Sequence, residues 1–156
     1  MRIYFCGAIA AGRQNLPVYQ YIVRRLTRQG HQVLTEHVAD PDVLDRERAL
    51  TPRRVYERDA EWMGAAEAVV AEVSMPSLGV GYEIACALMS GKPTLCLYRQ
   101  GLEISKMITG NTSRSLTLAV WEDFPDLDRH IDSFLASVSA VPQACAARSE
   151  EACPRP

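Results

Sequence analysis

A single-domain α/β fold, with five parallel strands in a doubly wound sheet and helices on both faces, is predicted by two features of the sequence. Short apolar runs recur five times, several of them nearly continuous rather than alternating, which is the pattern of strands buried on both faces. Between them lie segments whose apolar residues return every three or four positions, as on one face of a helix. Strand and helix therefore alternate, and right-handed crossovers wind such a chain into a parallel sheet of Rossmann or flavodoxin type.

The first strand is expected at Ile3–Cys6, and Leu16, Tyr19, Ile22, Val23 and Leu26 mark the first helix. The second strand is expected at Gln32–Thr35. Asp40–Thr51, rich in charge and containing Pro41, is expected to be flexible and able to act as a lid. Arg53–Ala66 follows as a charged helix with Val55, Trp62 and Ala66 on one stripe. Ala68–Val73 is the third strand, and Val80, Ile84, Ala87 and Leu88 give the helix after it. Thr94–Tyr98 and Thr117–Val120 are the fourth and fifth strands, and Phe124–Val138 is the last helix. Residues 1–138 form the expected domain. From Ser139 to the end the sequence is Ala, Ser, Pro and charge without periodicity, which buries too little to offset its ordering entropy, so a disordered tail is expected.

The 156 residues are 47% hydrophobic and 23% charged, enough for one adequate core. Lys and Arg total 17 against 19 Asp and Glu, so the net charge of -2 offers no general attraction to nucleic-acid polymers or anionic membranes. Any phosphate must be held locally. No secretory leader is recognised and no stretch approaches the roughly 20 apolar residues of a membrane span, so the expected location is the cytoplasm, with entry to the nucleus by diffusion. Cys6, Cys86, Cys96, Cys145 and Cys153 are odd in number and form no CxxC pair, which fits reduced thiols. His31, His37 and His130 are scattered without metal-ligand spacing. No metal and no cofactor is expected.

In such sheets ligands bind at the carboxyl ends of the strands, where the strand order reverses. Two loops reach that edge. Cys6-Gly7-Ala8-Ile9-Ala10-Ala11-Gly12-Arg13 has small residues that let backbone approach a ligand, but neither Walker nor GxGxxG spacing, and a plain tight turn explains it equally well. Ser74-Met75-Pro76-Ser77-Leu78-Gly79-Val80-Gly81-Tyr82-Glu83 runs into a helix, and free N–H groups at a helix start favour an anion. Glu83 falls beside the buried stripe of that helix, where the dipole is expected to favour its ionised form, and Asp59 does the same one helix earlier. Carboxylates on core-facing stripes are costly. Either each pairs with an arginine such as Arg53, Arg54 or Arg58, or the two together perform paired-carboxylate glycoside chemistry.

The segments Ile3-Tyr4-Phe5-Cys6-Gly7, Thr35-Glu36-His37-Val38, Asp59-Ala60-Glu61-Trp62 and the long run from Ala71 to Glu83 resemble the 2′-deoxynucleoside 5′-phosphate N-hydrolases, within the nucleoside 2-deoxyribosyltransferase superfamily. The resemblance runs in order from about Arg2 to Trp121. It implies cleavage of the N-glycosidic bond of a deoxynucleoside 5′-monophosphate, with Glu83 as nucleophile at C1′. Asp59 would orient the sugar and manage the proton of the departing base, and Tyr4, at the end of the first strand, would align Glu83 and hold it ionised. Ser77 and the Gly79 backbone would hold the phosphate, His37 and Ile9 would line the base or sugar pocket, and Gly7 and Arg13 of the first loop would also bind substrate, Arg13 compensating there for missing contacts. Ser105 would reach the phosphate from a partner subunit, with Met107 beside it, so a homodimer with shared sites is implied. One departure stands out. Where such proteins commonly carry serine and arginine in the first loop, this chain has Ala8 and Ala10, which removes two contacts.

Two other functions share these residues. A deoxyribosyltransferase would pass the Glu83-bound sugar to a second base instead of water, and a non-catalytic nucleotide-binding module would use the fold without the paired acids. The preferred base, a normal purine or a modified pyrimidine, is left open.

Overall fold

The structure is a computed structural model that describes residues 1–140. It contains five parallel strands, β1 (Arg2–Gly7), β2 (Gln32–Val33), β3 (Ala68–Glu72), β4 (Thr94–Arg99) and β5 (Leu116–Trp121). Their order across the sheet is β2-β1-β3-β4-β5, so the order reverses between β1 and β3 as doubly wound topology requires. Six α-helices connect them: α1 (Leu16–Arg28), α2 (Val43–Arg48), α3 (Pro52–Ala65), α4 (Leu78–Met89), α5 (Lys106–Thr109) and α6 (Phe124–Ala140).

Alternation along the strands divides the core in two. Ile3, Phe5, Ala68, Val70, Leu95 and Leu97 pack against Tyr19, Ile22 and Leu26 of α1 and Leu127, Ile131 and Phe134 of α6. Tyr4, Cys6, Val69, Ala71 and Cys96 point to the other face, against Met63 of α3 and Val80, Ile84 and Ala87 of α4. The near-continuous apolar character of β3 follows from this, because all five of its residues are buried.

Three expectations are corrected. The second strand ends at Val33, because Thr35 replaces ladder hydrogen bonds with its hydroxyl, which accepts from Phe5 N at 2.9 Å and donates to Phe5 O at 2.6 Å. The chain then turns into a 3-10 helix at Glu36–Ala39. Asp40–Thr51 is not an open loop. It contains α2, anchored by the buried Val43 and by an Arg46–Asp40 ion pair of 2.6 Å. The last helix runs to Ala140, so residues 139 and 140 are helical, and the rest of the expected disordered tail lies outside the described residues. Cys6, Cys86 and Cys96 are free thiols. No helix among the described residues is long and apolar enough to cross a membrane.

Candidate active site

Tyr4 and Glu83 meet over the sheet face covered by α3 and α4. Tyr4 stands in the middle of β1, not at its end as the sequence suggested, and its hydroxyl donates to Glu83 Oε1 at 2.5 Å. Burial and the neighbouring Glu83 carboxylate push the Tyr4 phenol far above its ordinary value, so it remains a fixed donor. Glu83 projects from the second turn of α4, which starts at Ser77 as expected: the Ser77 hydroxyl accepts from Val80 N at 3.4 Å. Burial pushes Glu83 up to about 7. The Tyr4 hydroxyl opposes the rise, Asp59 adds to it, the Cys6 thiol opposes it and Glu47 adds to it. Desolvation thus opposes the ionised form that the helix terminus is expected to favour.

Asp59 is close enough to raise both Tyr4 and Glu83, so the two acids do share one face of the sheet. It also has an arginine partner, Arg58, whose Nε donates to Asp59 Oδ1 at 2.8 Å. Arg53 pairs instead with Glu57 at 2.7 Å, and Glu83 has no basic partner within salt-bridge distance among the described residues. Arg58 extends the cluster, because its Nη2 donates to Glu47 Oε1 at 2.9 Å and to His37 Nε2 at 3.2 Å. Its guanidinium also lies 4.9 Å from the Trp62 ring centre, and His37 packs on the same ring at 5.3 Å. Burial, and then Arg58, lower the His37 pKa. His37 is therefore neutral at pH 7, with Nε2 as acceptor and Nδ1–H as a buried donor without a partner among the described residues.

The first loop is tied down from inside. A Cβ on Gly7 would lie 2.8 Å from Tyr19 Cζ, so only glycine lets β1 pass over that ring. Ala8 is buried, Ile9 packs on the α1 side of the core and Ala10 is exposed. Arg13 Nη2 donates to the carbonyls of Val38 and Asp40, both at 2.8 Å, which joins this loop to the 3-10 turn. Its Nε and Nη1 are buried without partners among the described residues, so two donors remain for a ligand.

Ser77, Ser105 and Met107 border a cavity of about 620 Å³ between α4, the segment before it and residues 103–111, a wall that does not include Tyr4, Asp59 or Glu83. Ser105 caps α5 by accepting from Met107 N at 3.3 Å. Gly79 lies in the first turn of α4 with only the Ser77 hydroxyl near its Cβ position. Leu78, Tyr82 and Met89 of α4, Tyr56 of α3 and Met107 form a run of exposed large apolar side chains. Among the described residues no His, Cys, Asp and Glu group is arranged to hold a metal.

Sequence reasoning missed one acid. Glu72, fully buried at the end of β3, accepts from Asn15 Nδ2 at 3.0 Å and from the Ser74 backbone N–H at 3.3 Å, and it also bonds the Ser74 hydroxyl. Burial raises it, and these bonds oppose the rise. Ser74 Oγ in turn accepts from Arg99 N at 2.8 Å, so the end of β3, the start of α1 and the end of β4 are joined. A glutamate inside an otherwise apolar strand was the available signal.

The chain matches the family model described as nucleoside 2-deoxyribosyltransferase over residues 3–133. It is 43% identical over 121 residues to a 2′-deoxynucleoside 5′-phosphate N-hydrolase 1 of Methanococcoides burtonii, covering 78% of this chain and 99% of the relative. It is also 43% identical over 155 residues to the 5-hydroxymethyl-dUMP N-hydrolase of Mus musculus, covering 92% and 88%. Among solved structures, a CMP N-glycosidase of Clostridium botulinum superposes with a TM-score of 0.66 at 17% identity, covering 86% of this chain and 99% of that one. A 2-deoxyribosyltransferase of Bacillus psychrosaccharolyticus superposes with a TM-score of 0.60 at 20% identity, covering 82% and 90%. By the extent of these matches, the chain belongs to the nucleoside 2-deoxyribosyltransferase family.

Proposed function

We propose that this protein hydrolyses the N-glycosidic bond of 2′-deoxynucleoside 5′-monophosphates, releasing the free base and 2-deoxyribose 5-phosphate. The observation that carries this reading is Glu83, a half-buried carboxylate with a 2.5 Å bond from Tyr4 and Asp59 nearby, in a chain 43% identical to proteins named as nucleotide N-hydrolases. In the first half of the reaction an ionised Glu83 oxygen attacks C1′. The C1′–N bond breaks, its electron pair leaves with the base, and Asp59 supplies the proton the base needs. In the second half Asp59 takes a proton from water, whose oxygen bonds C1′ while Glu83 departs as a carboxylate. One water is consumed and both acids return to their starting state.

The phosphate would be held by Ser77, the Gly79 backbone and Ser105, the last supplied by the partner of a homodimer. The exposed apolar run on α3, α4 and α5 supports such an assembly, since large exposed apolar patches mark association surfaces. Arg13 Nε and Nη1 and His37 Nδ1, buried donors without partners among the described residues, suit polar groups of the substrate. The substrates are nucleotides of the cytoplasm and nucleus, and the role that fits is salvage or clearance of the deoxynucleotide pool.

Incubating the protein with a panel of deoxynucleoside 5′-monophosphates, their nucleosides and their ribose counterparts tests this reading. Free base should appear with the deoxynucleotides. Exchange only on adding a second base would identify a transferase, which the transferase-like solved neighbour keeps in view through the shared fold. Binding without release would leave a non-catalytic module.

A further inference from the structure

Arg58 and Asp59 are neighbours on α3, and adjacent residues of a helix do not ordinarily face each other. Here the arginine folds back. Its guanidinium lies over Trp62, one turn further along, at 4.9 Å. The atoms left free by that stacking are then divided: Nε goes to Asp59 Oδ1 at 2.8 Å, while Nη2 goes to Glu47 of α2 at 2.9 Å and to His37 at 3.2 Å. The side chains of Arg58, Asp59, Glu47 and His37 are 19%, 26%, 23% and 20% exposed, so the group is largely withdrawn from water and only weakly screened. Holding a long arginine in one rotamer costs entropy, and four separate contacts are more than an ordinary solvated ion pair receives.

We propose that Arg58 is a positioning residue for the reaction. It fixes Asp59 through Oδ1 so that Oδ2 faces the substrate, and Glu47 of α2 fixes Arg58. This rests on the reading of Asp59 as the group that handles the proton of the departing base. Oδ2 has no recorded hydrogen bond among the described residues, whereas Oδ1 is occupied, so the two carboxylate oxygens are distinguished. A planar guanidinium does this where an ammonium would not, because its donors are rigidly spaced for two carboxylates at once. The segment Asp40–Thr51 thereby acquires a task, since α2 delivers the carboxylate that holds Arg58 in place.

The test compares two leaving groups. A deoxynucleoside 5′-monophosphate needs a proton delivered to its base, whereas 4-nitrophenyl 2-deoxyribose 5-phosphate expels a stable phenolate and needs none. Because kcat/KM reports the steps up to base departure, Arg58→Gln should lower it about tenfold to a hundredfold on the nucleotide and barely on the nitrophenyl compound. Asp59→Asn should show the same split. Ethylguanidinium should restore Arg58→Ala on the nucleotide, and ethylammonium should not. Glu47→Gln should give a smaller split, and combined with Arg58→Gln it should cost nothing further. If Arg58→Gln does not fold, Arg58→Lys, which keeps the charge but has no donor at the Nε position, is read in the same way.

An equal loss on both substrates in a folded Arg58 variant, or no loss on either, would overturn the proposal while a split in Asp59→Asn left the role of Asp59 standing. Absence of the split in Asp59→Asn as well would remove both together.

Discussion

Replacing Tyr4 by Phe removes one hydroxyl from a buried site and nothing else of size, so its consequence is electrostatic. The bond to Glu83 Oε1 is 2.5 Å and stabilises the ionised carboxylate against the burial that raises it to about 7. A hydrogen bond to a charged group contributes roughly 1.5–3 kcal/mol, and 1.36 kcal/mol corresponds to one pH unit, so Glu83 should rise by about one to two units, to about 8–9. The nucleophile is the ionised form, hence the acid limb of the kcat/KM profile follows Glu83 as it loses its proton. In the unmodified protein roughly half of Glu83 is ionised at pH 7, and in Tyr4→Phe roughly a tenth to a hundredth. A fall of about 5- to 50-fold at pH 7 should follow, shrinking steadily as the assay moves toward pH 10. The assay is the pH profile of kcat/KM on a deoxynucleoside monophosphate. A loss of the same size at every pH, with the acid limb unmoved, would refute the reasoning and leave Tyr4 as a packing residue.

Glu83→Gln should abolish turnover while leaving nucleotide binding largely intact. It should also stabilise the protein at high pH: the folded state holds a proton that the unfolded chain releases near 4.5, so the native Glu83 loses stability as pH rises through about 7, by at most about 3 kcal/mol. Melting temperatures of the two proteins should thus diverge between pH 4 and pH 8, and a constant difference would contradict the raised pKa. Gly7→Ala forces a methyl to within 2.8 Å of Tyr19 Cζ and should cost about 1–3 kcal/mol in chemical denaturation; an unchanged midpoint would mean the ring moves aside freely. Ala10→Arg, at an exposed position of the first loop, should raise efficiency on a deoxynucleoside monophosphate about tenfold while hardly altering that on the nucleoside, because a guanidinium pairs with phosphate alone. Equal gains on both would show that the loop holds the ligand another way. Mixing Ser105→Ala with Glu83→Gln should regenerate activity if each site draws Ser105 from its partner, and subunit exchange without recovery would exclude shared sites.

The strand and helix order was legible because burial on two faces leaves an unmistakable apolar imprint, as in β3, where every residue is covered. The boundaries were not, where side chains took over backbone duties: Thr35 ends β2 by bonding Phe5 with its hydroxyl. The charge of Asp40–Thr51 read as flexibility, yet Glu47 and Arg46 direct that charge to Arg58 and Asp40. Glu83 and Asp59 could be found from their helical spacing, and Arg58 was recognised as a partner for an acid. Its simultaneous hold on Glu47 and His37 could not be read, because it depends on elements distant in sequence meeting at one guanidinium. Glu72 was hidden for the opposite reason, since a strand's periodicity says which face a residue takes but not what awaits it there.

The knot of Glu72, Asn15, Ser74 and Arg99 has a bearing on how this scaffold could be redesigned. Three sequence-distant segments leave the sheet edge from one common anchorage, so the segment running from Ser74 to Ser77 is launched in a direction that its own side chains do not choose. Libraries meant to change which base is accepted would be wasted on residues 72–74, where most substitutions would loosen the anchorage before they touched a ligand. Diversity belongs instead at exposed positions of the first loop and of the segment before α3, such as Ala10, Ala11, Asp45 and Arg48, which can be rewritten while Val38, Val43, Arg13 and Glu47 hold the frame beneath them.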